Sequence, residues 1–394
     1  MAINRRVDRA GKVVGWQVVI EKRDPVSRRR SRQVVGTFRT KKEAEREERE
    51  ALVRRDGGTL VDPTRQTVGD LLDRWHETKE GTISRNAWSD YGDAIRLHLK
   101  PAIGEVKAQE LRHADVQELV NSWRGKPKMG ARLVHRCVSV MRQAYAQAIR
   151  EHIVVANPVV GIQLPSIAAR RQLSVWTPDE VAAFLESAAG DSLEPLWHLL
   201  VLEGMRRSEA LGLRWADLNW QADGKVTAHI VQTVVPDRAD RGQPMIVGRT
   251  KTAAGARAVL LTTETVQLLR IHRNGQKLIR LRRGDDWNPG DLIVCTSVGT
   301  PVNPANVARS QRIIMAGAGV PELTTHDLRH TAATVMLLEG VPIKMVSEKL
   351  GHASVMITLD TYGHIAPNMQ EAASAAMDAA LARGRAALKS MELG

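Results

Sequence analysis

The spacing of apolar residues changes twice along this 394-residue chain, and each change falls at a cluster of residues that breaks regular structure. Near the amino terminus the spacing is two. Trp16, Val18 and Ile20 alternate with polar neighbours, a polar turn DPVSRRR follows, and a second strand-like run extends from Gln33 to Phe38. Alternation of this kind sets one face of a strand on a core and the other in water. From Thr67 to Ile149 the spacing becomes three and four: Val68, Leu71, Leu72 and Trp75 share one helical face, and Val116, Leu119, Val120 and Trp123 another. The clearest stripe is Val134, Cys137, Val138, Met141, Ala144, Tyr145 and Ala148, as a core-facing helix demands. From Trp176 onward helical and strand-like runs mix. Gly57, Gly58 and Pro63 mark the first break, and NPVVGIQLPSIAARRQ, with Pro158, Pro165, Arg170 and Arg171, marks the second. One core seldom serves more than about 250–300 residues, so a chain of this length with two such breaks is expected to form separate domains.

The reading that follows is a small β-sheet plus one helix over 1–58, an all-α domain over 66–150, a basic linker over 151–175, an α+β domain over 176–368 and a helical tail over 369–394. In the first domain Thr40 and Glu43 form a capping box that opens a helix through KKEAEREEREALVRR. The α+β domain starts with a capped helix at Thr177-Pro178-Asp179-Glu180, carries strand-like runs at Val226–Val235 and Ala258–Thr262, and returns to helices after Asn303. In the tail Met369, Ala373, Met377 and Leu381 fall four apart, a narrow stripe that either packs on its own domain or docks on a neighbouring subunit.

A formal charge of +13 and a pI near 10.1 call for a polyanionic partner, and nucleic acid is the common one for a large soluble protein. The excess is concentrated: residues 1–58 hold 17 Lys and Arg against 9 Asp and Glu, which reads as a DNA-contacting module or as a solvated basic arm. Cys137 and Cys295 are too few for a disulfide framework or a four-cysteine zinc site, and fit a reducing compartment. MAINRRVDRAGK has no apolar signal region, and no stretch reaches the roughly 18 apolar residues of a membrane span, so a soluble, cytoplasmic protein with no membrane partner is expected.

Four clusters carry chemistry: GMRRSEALGLRW at 204–215, GRTKTAAGAR at 248–257, HDLRHTAAT at 326–334 and LGHASVMITLDTYGH at 350–364. In order and content they resemble the tyrosine recombinases, the phage-type integrase family, strongly over 176–367 and more loosely over 67–165. The resemblance implies a catalytic set of Arg206, Lys251, His326, Arg329, His352 and the nucleophile Tyr362. It also implies an arm-type DNA-binding domain, a helical core-binding domain and an α+β catalytic domain, the last two closing around DNA as a clamp. The partners implied are double-stranded DNA at attachment sites, a homotetramer on that DNA, and DNA-bending and directionality factors. One departure is visible: Glu203 stands where a threonine commonly precedes the first-motif glycine.

The residue types have their own rationale. Displacing a phosphodiester oxygen builds negative charge at phosphorus, which fixed cations stabilise. Guanidinium stays charged at working pH and offers phosphate a planar fork, so Arg206 and Arg329 suit that task from opposite sides. The other reading of Arg206 is a surface charge paired with Glu209. Tyr145 lies in the helical stripe and Tyr91 beside Trp88, which leaves Tyr362, with polar flanks and Gly363 after it, as the tyrosine free to reach DNA. Ionising a phenol of pKa near 10 at pH 7 costs roughly 4 kcal/mol, so cations must lower that cost or a base must take the proton. In the family this assistance falls to His326, while His352 hydrogen-bonds the phosphate. Lys251 would enter the minor groove and protonate the departing 5′ oxygen, or act as a plain phosphate contact.

His326 and His330, four apart, superficially form a zinc pair, but Asp327 stands where a general-base glutamate would, so His330 is read as packing. Activity in EDTA separates the two readings. Because each phosphotyrosine conserves bond energy, no cofactor is implied. The remaining alternative, a DNA-binding regulator of this fold without catalysis, conflicts with the complete residue set. The activity expected is integration or excision of a phage or mobile element through a 3′-phosphotyrosine.

Overall fold

The structure, a computed structural model, describes residues 2–7, 13–23, 30–56, 61–167, 173–240, 242–248, 257–363, 374–375 and 377–385. The chain divides between Ala169 and Arg170 into two units.

The first unit begins with an antiparallel sheet of β1 (Ala2–Val7), β2 (Val13–Arg23) and β3 (Arg30–Phe38), in that order. Alternation in the sequence marks β2 and β3 but not β1, whose AINRRV carries few apolar residues and becomes a strand by pairing along β2. Its exposed arginines suit an edge strand, where charge discourages further pairing. Helix α1 (Lys41–Asp56) follows, and the expected capping box is made: Glu43 N donates to Thr40 Oγ1 and Thr40 N to Glu43 Oε2, both at 3.2 Å. Val18, Ala44 and Ala51 are fully buried between helix and sheet.

The helical part holds α2 (Val68–Glu77), α3 (Arg85–Ala94), a π turn at Ile95–Leu99 running into α4 (Lys100–Ile103), α5 (His113–Trp123) and α6 (Ala131–Arg150). Every residue of the α6 stripe is buried, against Leu72, Trp75, Val116 and Val120. Each large apolar side chain taken from water contributes about 1.5–3 kcal/mol, so this seam defines the unit's core. The Tyr145 hydroxyl donates to the Ala108 carbonyl at 3.1 Å, a structural duty.

The stretch read as a linker is not free chain throughout. Val154, Val159 and Ile162 are buried in the same core, and Gln109 Nε2 donates to the Ile153 carbonyl at 2.8 Å. Proline and glycine forbid helix there, but they do not forbid burial. Arg170 and Arg171 lie outside the described residues.

The second unit runs α7 (Pro178–Ser187), α8 (Glu194–Val201), α9 (Arg207–Gly212), β4 (Leu218–Trp220), β5 (Val226–His229), β6 (Gln232–Asp237), β7 (Gln243–Gly248) and β8 (Ala258–Leu260). It continues with α10 (Thr263–Arg283), α11 (Pro304–Ala318), α12 (Thr325–Leu338), α13 (Ile343–Leu350) and α14 (Val355–Tyr362). Strands β4, β5 and β8 pair antiparallel in that order, Ala228 lying opposite both Leu218 and Val259. The run from Val226 to Val235 is two strands: it breaks at Ile230, whose N–H donates to the Arg257 carbonyl at 2.9 Å, and β6 then pairs with β7 in a separate hairpin. Trp176, Phe184 and Trp197 anchor the main core. A smaller apolar cluster of Ala333, Val346, Leu350 and Tyr362 joins α12, α13 and α14. In the tail 374–375 and 377–385 are helical, with Met377 and Leu381 exposed, while Met369 and Ala373 lie outside the described residues. Among the described residues no helix is long and apolar enough to cross a membrane.

Candidate active site

Arg206 is the residue before α9, held there by a glycine turn. Gly204 has φ +65°, and a Cβ at that position would stand 2.6 Å from Leu350 Cδ2. Glu209, one turn into the helix, accepts the Arg206 N–H at 2.8 Å and the Arg206 guanidinium at 2.7 Å. The second Arg206 nitrogen donates to the Gly351 carbonyl at 3.1 Å. The pairing of Arg206 with Glu209 is therefore real, but it is no surface pair: the Glu209 side chain is 3% exposed and the Arg206 side chain 38%.

Arg257 approaches Glu209 from the other side. Its two terminal nitrogens donate to the two carboxylate oxygens at 3.0 and 2.9 Å, and its Nε to the Lys349 carbonyl at 2.9 Å. Burial pushes the Glu209 carboxyl up, but the hydrogen bonds and charge of Arg257, with those of Arg206, outweigh it and hold the group below its ordinary value.

Helix α12 brings Arg329 to the same place. A capping box starts the helix, Thr324 N donating to Asp327 Oδ2 at 2.8 Å and Asp327 N to Thr324 Oγ1 at 3.3 Å, so Asp327 serves as a cap. Among the described residues no group of three or more His, Cys, Asp or Glu is arranged to hold a metal ion. Arg329 is 2% exposed and donates to the carbonyls of Gly204 and Leu350, each at 2.7 Å. Burial, and after it the charge of Arg206, pulls its pKa down to about 9, so it stays a cation at neutral pH.

Helix α13 ends on Gly351, in the left-handed conformation at φ +69° and packed so closely on Arg257 that a Cβ would meet it at 2.6 Å. This turn delivers His352, whose Nδ1 lies 2.7 Å from Thr358 Oγ1. Burial, then the charges of Arg329, Arg206, Arg257 and His330, press its pKa down to about 4.

Tyr362 closes α14. It is 1% exposed, within the cluster of α12 and α13, where polar flanks in the sequence suggested an accessible side chain. Its hydroxyl lies 2.5 Å from Nδ1 of His330. His326 meets the His330 ring edge-on, centroids 4.7 Å apart. Packing is thus an incomplete reading of His330, which touches the candidate nucleophile.

The structure brings together Arg206, Arg329 and His352, with Tyr362 and His326 joined to them through His330. Lys251 lies outside the described residues. Three guanidinium groups around one carboxylate make a cation-rich pocket that suits a phosphate. Sequence reasoning passed over Arg257, although it closes the GRTKTAAGAR cluster. Glu203 also finds a reason. It is fully buried, accepts from Thr262 N, Thr262 Oγ1 and Thr265 Oγ1 at 2.8 Å each, and pairs with Lys349 at 2.9 Å, tying the approach to Arg206 to the end of α13.

Residues 175–369 match the model of the phage integrase family, and residues 67–124 that of the phage integrase N-terminal SAM-like domain. A XerC-like tyrosine recombinase of Caldanaerobacter subterraneus subsp. tengcongensis is 27% identical over 84% of this chain and 88% of its own. An integrase of Streptomyces ambofaciens is 26% identical over 89% of this chain and 90% of its own. In fold the chain is similar to the Tn1549 transposon integrase in complex with transposon right end DNA, with a TM-score of 0.63 at 18% identity over 79% of this chain and 98% of that one. A lambda integrase tetramer bound to a Holliday junction aligns with a TM-score of 0.53 at 18% identity over 91% of this chain and 94% of that one. The α+β unit, its clustered arginines and histidines and a terminal tyrosine meet in one assignment: the chain belongs to the phage integrase family of tyrosine recombinases.

Proposed function

We propose that this recombinase integrates or excises a mobile element by opening DNA at attachment sites, with Tyr362 forming a 3′-phosphotyrosine and releasing a 5′ hydroxyl. The observation that carries the reading is the meeting of Arg206, Arg329 and His352, from three separate motifs, beside the helix pair that holds Tyr362. Arg206, with a partly exposed guanidinium, and Arg329, fixed by two carbonyls, bind the non-bridging oxygens and stabilise the charge that grows on them. His352, neutral at pH 7, donates a further hydrogen bond to the phosphate. Lys251 protonates the leaving 5′ oxygen. The released hydroxyl attacks the phosphotyrosine of the partner strand, so the bond is exchanged without a nucleotide cofactor.

Four copies act on two paired sites, in the manner of the lambda integrase tetramer on its junction, and the sheet-plus-helix module at 1–58 binds a second class of DNA sequence away from the crossover. DNA-bending and directionality factors set the outcome, and the reaction takes place in the cytoplasm of a bacterial host. Tyr362→Phe removes only the attacking oxygen. On a nicked suicide substrate resolved by denaturing gel, this variant binds its core site normally and forms no covalent adduct; an adduct that survives means that another residue is the nucleophile.

A further inference from the structure

We propose that His330 is a catalytic residue of this recombinase, its Nδ1 taking the phenolic proton of Tyr362 as the phenol oxygen attacks the scissile phosphate. The inference rests on Tyr362 as nucleophile. The geometry is direct: Nδ1 and Oη are 2.5 Å apart, the tyrosine is 1% exposed, and both groups sit on helices packed through Ala333, Val346 and Leu350. A general base must lie within hydrogen-bond reach of the proton it removes, and His330 already does so before DNA arrives.

The chemistry requires such a group. A phenol titrates about three units above neutrality and an imidazole near it, so a neutral imidazole accepts the proton as the new P–O bond forms, with no phenolate free beforehand. Helical spacing explains how one motif supplies both needs. Arg329 and His330 are consecutive on α12 and point differently, Arg329 to the carbonyls of Gly204 and Leu350, His330 to the phenol. His326, the family's candidate, sits one turn earlier with its ring edge-on to His330, where it orients that imidazole. Among the described residues, the titratable groups seen to act on His330 are His326 on its own helix, Tyr362 on α14 and His352 beyond α13. The bound phosphate offsets the positive charge that appears when the imidazolium forms.

The step balances. The Tyr362 O–H bond breaks with its proton going to Nδ1, the Oη–P bond forms, and the P–O5′ bond breaks as the 5′ oxygen takes a proton from Lys251. Religation runs the same path backward, His330 returning the proton to the departing phenol.

The test is single-turnover cleavage of a nicked core-site duplex by the full-length chain carrying His330→Asn, which keeps an amide oxygen near the phenol but cannot carry its proton. The rate should fall by about 10²–10⁴-fold with core-site affinity unchanged, and the rise of wild-type rate with pH through the imidazole range should disappear. A 5′-phosphorothiolate substrate, whose leaving thiolate needs no proton, should leave the His330→Asn deficit in place; restoration would mean that His330 serves the leaving group, and overturns the proposal. Wild-type cleavage with the same pH dependence overturns it as well. Should His330→Asn not bind the core site, His330→Gln is read by the same rates, and imidazole added to His330→Gly should restore cleavage. Loss of the adduct in Tyr362→Phe beside full-rate His330→Asn sinks the base alone, whereas an adduct in Tyr362→Phe sinks the nucleophile itself.

Discussion

Glu209→Gln removes one negative charge from a site that holds three guanidinium groups, and the cost can be worked from the contacts. The Glu209 side chain is 3% exposed and bridges Arg257, through bonds of 3.0 and 2.9 Å, to the Arg206 side chain at 2.7 Å. Arg257, with a side chain 8% exposed, would keep its bond to the Lys349 carbonyl but face Arg206 and Arg329 without a carboxylate between them. Removing one partner of a buried ion pair costs about 3–5 kcal/mol, a large share of the roughly 5–15 kcal/mol by which a folded protein is stable. At a urea dependence of about 2–3 kcal/mol per molar, the midpoint should fall by about 1–2.5 M, measured on the full-length chain by tryptophan fluorescence. Inorganic phosphate supplies the missing anion and should raise the midpoint of Glu209→Gln more than that of wild type. Adding Arg257→Met removes the orphaned cation and should recover most of the loss. A midpoint within about 0.3 M of wild type, or a double variant no more stable than Glu209→Gln alone, refutes the unpaired-charge reasoning.

His352 gives a pH signature. Its folded pKa of about 4 lies below the ordinary value near 6.5, so the unfolded chain binds the proton first; the contribution is intact above pH 6.5 and is lost as pH falls toward 4. Up to about 3 kcal/mol is at stake, and His352→Gln should flatten the stability curve in that window; an unchanged slope in urea titrations at pH 4.5 and 7 counts against it. Deleting 369–394, where Met377 and Leu381 are exposed, should impair pairing of two sites more than binding of one in gel-shift assays, and equal losses point to a local structural role. Deleting 1–58 should flatten the fall of affinity with salt on full attachment DNA and abolish recombination there, while Tyr362-dependent cleavage of a bare core site persists; full recombination by the truncated chain makes the module a dispensable arm.

Periodicity made the elements legible where one face is buried, as in the α6 stripe, and capping residues marked helix starts at Thr40 and Thr177. It was silent on β1, which owes its conformation to a partner strand, and it misjudged 153–162, where proline and glycine hid a packed turn. At the site, the motifs named the charged side chains and the Arg206–Glu209 pair, but not the backbone groups that complete their hold. Arg329 is fixed by the backbone carbonyls of Gly204 and Leu350, and Arg206 by that of Gly351 as well as by Glu209, and a carbonyl has no letter of its own. What the letters do record is the geometry those carbonyls require. Gly204 and Gly351 both have positive φ, and in each case the space of a missing side chain is filled, by Leu350 at the first and by Arg257 at the second. An alanine at either position meets a strained backbone and a neighbour 2.6 Å from its Cβ, so it should displace the carbonyl that orients an arginine. The two glycines are therefore part of the machinery that positions the cations, although neither carries any charge.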